Sequence, residues 1–344
     1  PQSVLDSQSL GVDMVSSATD SSKGLLTAIE DAITQAGGDV EALRARKVVK
    51  EDKSGQITYV DTDVCVIGGG ISGSVAAIQA SDLGAKVILL EKTASTGVRG
   101  GAFFAADSHL YDEVGMDPVD EGVFFKEFME DTSWRADGTL VRDWIEMSKD
   151  IVGYLESHGC KFYKTIETYS GGHSYAGGFG CTQYETSERT EIEQIADALK
   201  CVVERGGQIL CDTTATGLIQ DETGAVVGVR ASCADGSTLQ VNTKSVIIAT
   251  GGYNADFDWI SKSYNGVMPT ANFGLKSNLG DGIKMAVEAG ATETGEQAVM
   301  LRMPRLVGDF NPFNDYESGD GKVKLGKRFQ YAVPLLPMTL WVNC

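Results

Sequence analysis

Closely spaced metal ligands are missing from this chain of 344 residues. Its three histidines, His109, His158 and His173, lie far apart, and its seven cysteines are scattered with no C-x-x-C pair. Zinc sites and iron–sulfur clusters use grouped cysteines and histidines, so neither kind of metal site is predicted. The odd number of cysteines likewise does not favour a disulfide framework.

Basic residues are also few, since 29 Lys and Arg stand against 48 Asp and Glu and leave a formal net charge of -19. Nucleic acids and anionic membrane surfaces would repel such a chain, so neither is expected as a partner. No run reaches about 18 consecutive apolar residues, so no transmembrane segment is predicted. With 42% hydrophobic and 22% charged residues, the chain has the composition of a globular protein with a large core.

The most informative stretch is a short apolar run followed by three spaced glycines. Residues 64–67 indicate a buried parallel strand, and Gly68, Gly70 and Gly73 then form G-x-G-x-x-G before a helical pattern over 72–83. A second apolar run ends on Glu91, about twenty residues further on. Such glycines permit a tight turn and close approach to a pyrophosphate, and the acid accepts hydrogen bonds from a ribose. The stretch predicts a dinucleotide-binding unit rather than a glycine-rich turn without a ligand.

Three later stretches are candidates for the same cofactor site. Residues 92–101 are dense in Gly, Ser and Thr, which lets a cofactor lie against bare backbone, although a surface loop has the same composition. Residues 246–248 predict a buried strand that leads into Ala-Thr-Gly-Gly at 249–252. Residues 280–282 are Gly-Asp-Gly at the start of a helical pattern, where Asp281 would cap the helix whatever its other role. The order and spacing of the set are more specific than any one member.

In that order, the stretches over residues 60–300 resemble the FAD-dependent fumarate reductase and succinate dehydrogenase flavoprotein family, FAD-binding type 2 and urocanate-reductase-like. The resemblance implies an α/β fold, with a Rossmann-like FAD-binding domain of the two-dinucleotide-binding type and an α+β capping domain. In the family, the loop equivalent to residues 170–180 lies near the flavin ring. The residues that the resemblance assigns to FAD binding are Gly68, Gly70, Ile71, Ser72, Gly73, Glu91, Lys92, Thr96, Arg99, Gly100, Gly101, His173, Ala215, Thr250, Gly251, Gly252 and Asp281.

Residues 13–19 resemble the end of an FMN-binding domain, in which Asp-x-x-Ser-Gly-Ala-Thr carries FMN esterified to the threonine. The resemblance implies covalent FMN on Thr19, although Ser17 stands where that family has glycine. The alternative is an ordinary amphipathic helix capped by Ser21 or Ser22. The predicted domains are 1–38, the C-terminal part of an FMN-binding domain; 39–58, a linker; 59–255, the FAD-binding domain; and 256–344, the start of the capping domain. Both ends are expected to be interior to a longer polypeptide.

The segments that would bind a dicarboxylate depart from the family pattern. The family's His-Pro-Thr position corresponds to Met303-Pro304-Arg305, and its Thr-Glu pair falls near Tyr331. The substrate-binding candidates are Arg302, Met303, Arg305 and Tyr331. Nearby aromatic residues favour a larger, partly apolar substrate, or they are simply core residues. The family's acid arginine is expected beyond Cys344, so no catalytic residue is named.

The predicted function is reduction of a polarised C=C bond of an unsaturated acid or enone other than fumarate, with hydride from FAD N5. Electrons would come from FMN and an electron-donor protein or quinol pathway, as in anaerobic respiration. The alternatives are a dehydrogenase of the ketosteroid type and a flavin electron-transfer subunit with no substrate of its own. Covalent FMN on Thr19 would favour an extracytoplasmic location, periplasmic or on the cell surface of a bacterium, and its absence a cytoplasmic one.

Overall fold

The computed structural model describes residues 2–12, 19–46, 53–97, 102–168, 180–263 and 277–293. Several predicted site residues lie outside these ranges, namely Arg99, Gly100, Gly101, His173, Arg302, Met303, Arg305 and Tyr331. The chain divides into two compact units, the first formed by 1–99, 195–256 and 273–293 and the second by 100–194, 257–272 and 294–344. The predicted domain limits at 38, 58 and 255 stay predictions.

The described residues alternate between helices and strands, which confirms the α/β class. The helices are α1 (Gln2–Ser7), α2 (Thr19–Gln35), α3 (Val40–Ala45), α4 (Ile71–Asp82), α5 (His109–Val114), α6 (Glu121–Asp131), α7 (Gly138–Ser148), α8 (Ile151–Ser157), α9 (Glu191–Ala198), α10 (Lys200–Glu204), α11 (Phe257–Ser263) and α12 (Asp281–Glu288). The strands are β1 (Ile57–Ile67), β2 (Val87–Leu90), β3 (Ala102–Phe104), β4 (Phe162–Thr168), β5 (Gly180–Tyr184), β6 (Gln208–Leu210), β7 (Thr213–Gln220), β8 (Val226–Cys233) and β9 (Thr238–Ile248). Within the described ranges, no helix has the length and apolarity that a membrane span requires.

The first unit is built on a six-stranded sheet with the order β6-β2-β1-β9-β8-β7. The strands β6, β2, β1 and β9 are parallel neighbours, whereas β7, β8 and β9 pair antiparallel. Three of these parallel strands, in the order β6-β2-β1, have the 3-2-1 order of a mononucleotide-binding half of a Rossmann-like fold, and β9 lies on the other side of β1. The first strand and the following helix therefore take the positions that the glycine motif predicts.

Both faces of the parallel strands are covered, which explains their continuous apolar sequences. On one face, Cys65, Ile67, Ile88 and Leu90 belong to a buried cluster that includes Met285 of α12. Helix α4 packs on β1 and β2, and its Ile78 is fully buried. Truncating such an isoleucine to alanine typically costs about 2–5 kcal/mol, so α4 is anchored to the sheet mainly by its apolar side.

The second unit contains the antiparallel sheet β3-β5-β4 and the helices α5 to α8. The ring of Phe104 stacks on Phe124 at 4.7 Å between centroids and lies 4.9 Å from that of Trp144. These rings form a buried cluster between β3 and the helices α6 and α7. The prediction that residues 118–158 form a packed helical layer is confirmed.

Two local predictions, the cap of α2 and the strand over 246–248, are wrong. Helix α2 already begins at Thr19, so Ser21 and Ser22 lie inside the helix and do not cap it. The segment predicted as a linker includes α3, whose N-cap Asp39 accepts a hydrogen bond from the Ala42 amide at 2.9 Å; the linker itself stays a prediction. Residues 246–248 are not a separate buried strand but the end of β9, and Ile248 is 37% exposed.

The buried thiols should be protected from alkylation. Burial raises the pKa of Cys65 to about 12 and that of Cys160 to about 11. At pH 8, a thiol with a pKa of about 12 is ionised in about one molecule in ten thousand. We expect peptide mass spectrometry after iodoacetamide treatment to find Cys65 and Cys160 unmodified in the native protein and modified in urea. Cys233 is only partly buried and serves as the control; equal labelling of Cys65 and Cys233 under native conditions would contradict this.

Candidate dinucleotide-binding site

Three of the predicted motifs meet at one edge of the six-stranded sheet. The parallel strands β2, β1 and β9 end there, and they are followed by Glu91, by the glycine turn and by Thr250. Backbone hydrogen bonds continue the strand pairing to this edge, from Gly68 N to Leu90 O and from Ala249 N to Ile67 O, both at 2.8 Å. In open α/β sheets, ligands bind outside the carboxyl ends of the strands, so this edge is the candidate site.

The glycine turn after β1 leaves room for a ligand but none for side chains at two of its positions. Gly68 has φ +103, and a Cβ there would lie 2.5 Å from the Ala249 carbonyl oxygen. A Cβ on Gly73 would lie 1.9 Å from the Gly68 carbonyl oxygen, so α4 approaches the turn as closely as a glycine allows. By contrast, a Cβ on Gly70 would meet no described atom within 4 Å.

The start of α4 is suited to bind an anion. Its N-cap is Gly70, which provides no side-chain hydrogen bond to the first turn, and Ile71 and Ser72 are its first two residues. The N–H groups of a first helical turn have no partner within the helix and lie at the positive end of its dipole. With open space at Gly70, these residues fit the pyrophosphate of a dinucleotide.

Glu91 is held by three donors of the chain itself. Its Oε2 accepts from the Gly69 amide, and its Oε1 accepts from the amide and the hydroxyl of Thr93, all at 2.7 Å. An ionised carboxylate has about four acceptor sites, so one remains for a ribose hydroxyl. Thr96 lies against the same turn, because a Cβ on Gly69 would come within 2.8 Å of its methyl group. Sequence reasoning missed Gly69 and Thr93. The run of three glycines at 68–70 was a signal for Gly69, and no sequence signal marked Thr93.

Lys92, which follows Glu91, contacts the start of α12. Its Nζ lies 2.6 Å from Asp281 Oδ2 and also donates to the Ser277 carbonyl oxygen. The prediction that Asp281 caps α12 is wrong. The N-cap is Gly280 at φ +74, which gives no side-chain hydrogen bond, and Asp281 is the first helical residue. Its carboxylate binds Lys92 instead.

The turn after β9 and the segment before α12 are hydrogen-bonded to each other. Thr250 Oγ1 accepts from the Gly282 amide at 3.2 Å, and the Gly280 amide donates to Gly252 O at 3.2 Å. A Cβ on Gly282 would lie 2.2 Å from Thr250 Oγ1, so the contact requires glycine. The turn at 249–252 and the Gly-Asp-Gly segment at 280–282 therefore form one wall of the crevice at this edge of the sheet, which is called the dinucleotide crevice below.

A protein-family model described as an FAD binding domain matches residues 63–312. The chain belongs to this FAD-binding family. The matched segment contains the glycine turn, Glu91, Thr250 and Asp281, and the prediction of a fumarate-reductase-like flavoprotein is confirmed.

This FAD-binding protein is similar to several reductases and oxidoreductases. It is 29% identical over 370 residues to an NADH:acrylate oxidoreductase of Vibrio harveyi, with 90% of this chain and 36% of the relative covered. It is 30% identical over 269 residues to a urocanate reductase of Eggerthella lenta, with 76% and 43% covered. The chain thus spans less than half the length of either relative. The open conformation of a flavocytochrome c3 fumarate reductase shares the fold, with a TM-score of 0.57, 24% identity, and 70% of this chain and 42% of that one covered.

Two predicted residues of the FAD-binding protein lie away from the glycine turn in sequence. Ala215 is half-buried in β7 opposite Ala231, next to a register shift. Strand β7 begins beside Glu91, because the Thr213 amide donates to the carbonyl oxygen of that residue at 2.9 Å. Thr19 is the first residue of α2. A contact of Ala215 with FAD, and FMN on Thr19, stay predictions.

Proposed function

We propose that the protein is a flavin-dependent reductase that acts on the polarised C=C bond of an unsaturated acid or enone other than fumarate. The observation that carries the proposal is the meeting of the glycine turn, Glu91 and the Lys92–Asp281 pair at one sheet edge. The match to the FAD-binding family covers the same edge. Relatives whose names give acrylate and urocanate as substrates favour an unsaturated acid over other acceptors.

The residues of the crevice would bind and orient the cofactor. FAD, when bound, supplies the hydride at its N5 atom. We assign the ribose diol to the remaining acceptor site of Glu91 and the pyrophosphate to the amides at Gly70, Ile71 and Ser72. The Thr250 to Gly252 turn gives bare backbone for close approach on the β9 side, because Gly251 at φ +74 and Gly252 carry no side chain. The protein thereby fixes orientation, which is its main contribution to the reaction.

The substrate assignment rests on sequence. Arg302 and Arg305 are proposed to clamp a carboxylate or carbonyl oxygen, which guanidinium groups do with paired hydrogen bonds. Met303 and Tyr331 stand where the resembled family has residues for a C4 dicarboxylate, which is the reason for excluding fumarate.

The electron supply is proposed to run through FMN. The sequence Asp13 to Thr19 and the helix that begins at Thr19 support an FMN ester on that residue. An electron-donor protein or quinol pathway would reduce the FMN. Covalent FMN would be accompanied by an extracytoplasmic location.

The proposal is tested on the full-length protein purified from its native host. We expect released FAD in the flavin spectrum, an FMN-sized adduct on the Thr19 peptide, and anaerobic oxidation of reduced methyl viologen by acrylate or urocanate but not by fumarate. Fumarate reduction at a comparable rate would contradict the excluded substrate. Dye reduction by a ketosteroid would favour the dehydrogenase instead. Reoxidation by dyes but by no organic acceptor would favour an electron-transfer subunit.

A further inference from the structure

The ion pair between Lys92 and Asp281 joins segments that lie at the ends of the two strands on either side of β1. Lys92 lies just after β2, on one side of β1 in the sheet. Asp281 begins α12, whose first turn is hydrogen-bonded to Thr250, just after β9 on the other side. The glycine turn at the end of β1 lies between these two strand ends. The 2.6 Å pair therefore joins both sides of the crevice that the pyrophosphate would enter.

Glu91 and Lys92 are consecutive, yet they serve opposite sides of this crevice. The Glu91 carboxylate accepts from Gly69 in the glycine turn, whereas the Lys92 ammonium binds Ser277 O and Asp281. An ammonium has three N–H donors, and these contacts use two of them. A single short segment after β2 thus connects the glycine turn to the start of α12.

The pair is not needed to hold the segment before α12 in place. That segment is already joined to the β9 turn by the Gly282 and Gly280 amides and by Ala255 N to Asn278 O at 2.9 Å. The side chains of Lys92 and Asp281 are 27% and 34% exposed, and ion pairs with such access to solvent add little to folding stability. What the pair adds is the connection across the crevice.

We propose that Lys92 and Asp281 form a strap across the dinucleotide crevice that slows the release of bound FAD. This inference rests on the proposed binding of FAD at this edge. The strap must open when the dinucleotide leaves, because the two walls it joins are the walls between which the pyrophosphate is assigned. Opening separates two opposite charges, so release should be faster at high salt.

The test is the dissociation rate of FAD from the purified holoprotein, followed by the rise in flavin fluorescence after dilution. We expect Lys92→Met and Asp281→Asn each to release FAD about tenfold faster, and the double variant to release it no faster than either single one. Lys92→Arg should stay within about threefold of the wild type. The wild-type rate should rise with salt, whereas the Lys92→Met rate should not.

A second lysine gives a matched control. Lys284 of α12 pairs with Asp256 at 2.9 Å in the same unit, outside the strap, and Lys284→Met should leave FAD release unchanged. An unchanged rate in Lys92→Met would overturn the strap, as would additive effects in the double variant together with a larger loss of melting temperature than Lys284→Met shows. A wild-type protein that contains no FAD would instead overturn the proposed function.

Discussion

Replacing Gly73 by alanine is expected to leave no stably folded protein that retains FAD. The new Cβ would lie 1.9 Å from the Gly68 carbonyl oxygen and 3.0 Å from the carbonyl carbon. Both atoms belong to the backbone of a turn that is fixed by pairing on both sides, so α4 itself must move off β1. Overpacking a well-packed core typically costs about 1–3 kcal/mol, and a backbone contact this short should exceed that range. Soluble yield, urea denaturation and flavin content measure the loss.

Alanine substitutions at two other glycines serve as controls for this effect, because they show whether any glycine-to-alanine change destabilises the protein. Gly70→Ala meets no atom within 4 Å, so it should fold normally and lose FAD affinity, because its methyl group fills the space assigned to the pyrophosphate. Gly153→Ala in the middle of α8 also meets nothing and should be stabilised by up to about 1 kcal/mol with unchanged FAD content. A soluble Gly73→Ala protein with full FAD content would show that the helix and turn are not this close.

Glu91→Gln is expected to weaken FAD binding about 10- to 100-fold. Both carboxylate oxygens accept hydrogen bonds from the chain at 2.7 Å, so the amide NH₂ of glutamine must face either Gly69 N–H or the Thr93 donors. Hydrogen bonds to charged groups contribute about 1.5–3 kcal/mol each; the bond lost within the chain lowers mainly the folding stability, and the lost ribose contact lowers FAD affinity by about 10- to 100-fold. Titration of the flavin-free protein with FAD measures the affinity. An affinity within twofold of wild type would remove Glu91 from the site.

The hydroxyl of Thr93 gives a graded control for Glu91. Thr93→Ser keeps the hydroxyl that donates to Glu91 Oε1, and Thr93→Val removes it with little change of shape. We expect the serine variant to bind FAD like the wild type and the valine variant to lose less affinity than Glu91→Gln, because the Thr93 amide remains. A valine variant equal to wild type would mean that the two other donors suffice to hold the carboxylate.

The βαβ unit was predictable because its determinants are local. The apolar runs, the three glycines and the acid lie within residues 64–91, and their spacing alone gives strand, turn, helix and strand. The first half of β1 was not predictable in the same way. Residues 57–63 include Asp61 and Asp63, and they are extended because they pair with β9, whose Asn242 donates to Asp61 from 181 residues away. The short strands β3, β4 and β5 were missed because three to seven residues carry too little pattern.

In the candidate site too, sequence reasoning identified the residues with local roles and missed the contacts between distant parts of the chain. Gly68, Gly73 and Glu91 were identified from spacing, because each acts on atoms of its own segment or of the adjacent strand. The partner of Lys92 was beyond sequence reasoning, since Asp281 lies 189 residues away. Asp281 itself was misassigned as a helix cap because the rule for capping side chains takes no account of a glycine at positive φ, which ends the preceding turn and takes the cap position.

The pairing of β1 with β9 has a consequence during synthesis of the protein. The partner of Asp61 in β9, Asn242, lies 181 residues further along the chain. A ribosome that adds roughly 5–20 residues per second synthesises this stretch in roughly 10–40 s. Throughout that interval, one edge of β1 is unpaired next to the apolar Val64 to Ile67. An unpaired strand edge with apolar side chains offers backbone N–H and C=O groups for pairing with another chain, which leads to aggregation. The nascent protein is therefore most prone to aggregation after β1 and before β9 has emerged from the ribosome. Chaperone binding should reduce aggregation most in this interval.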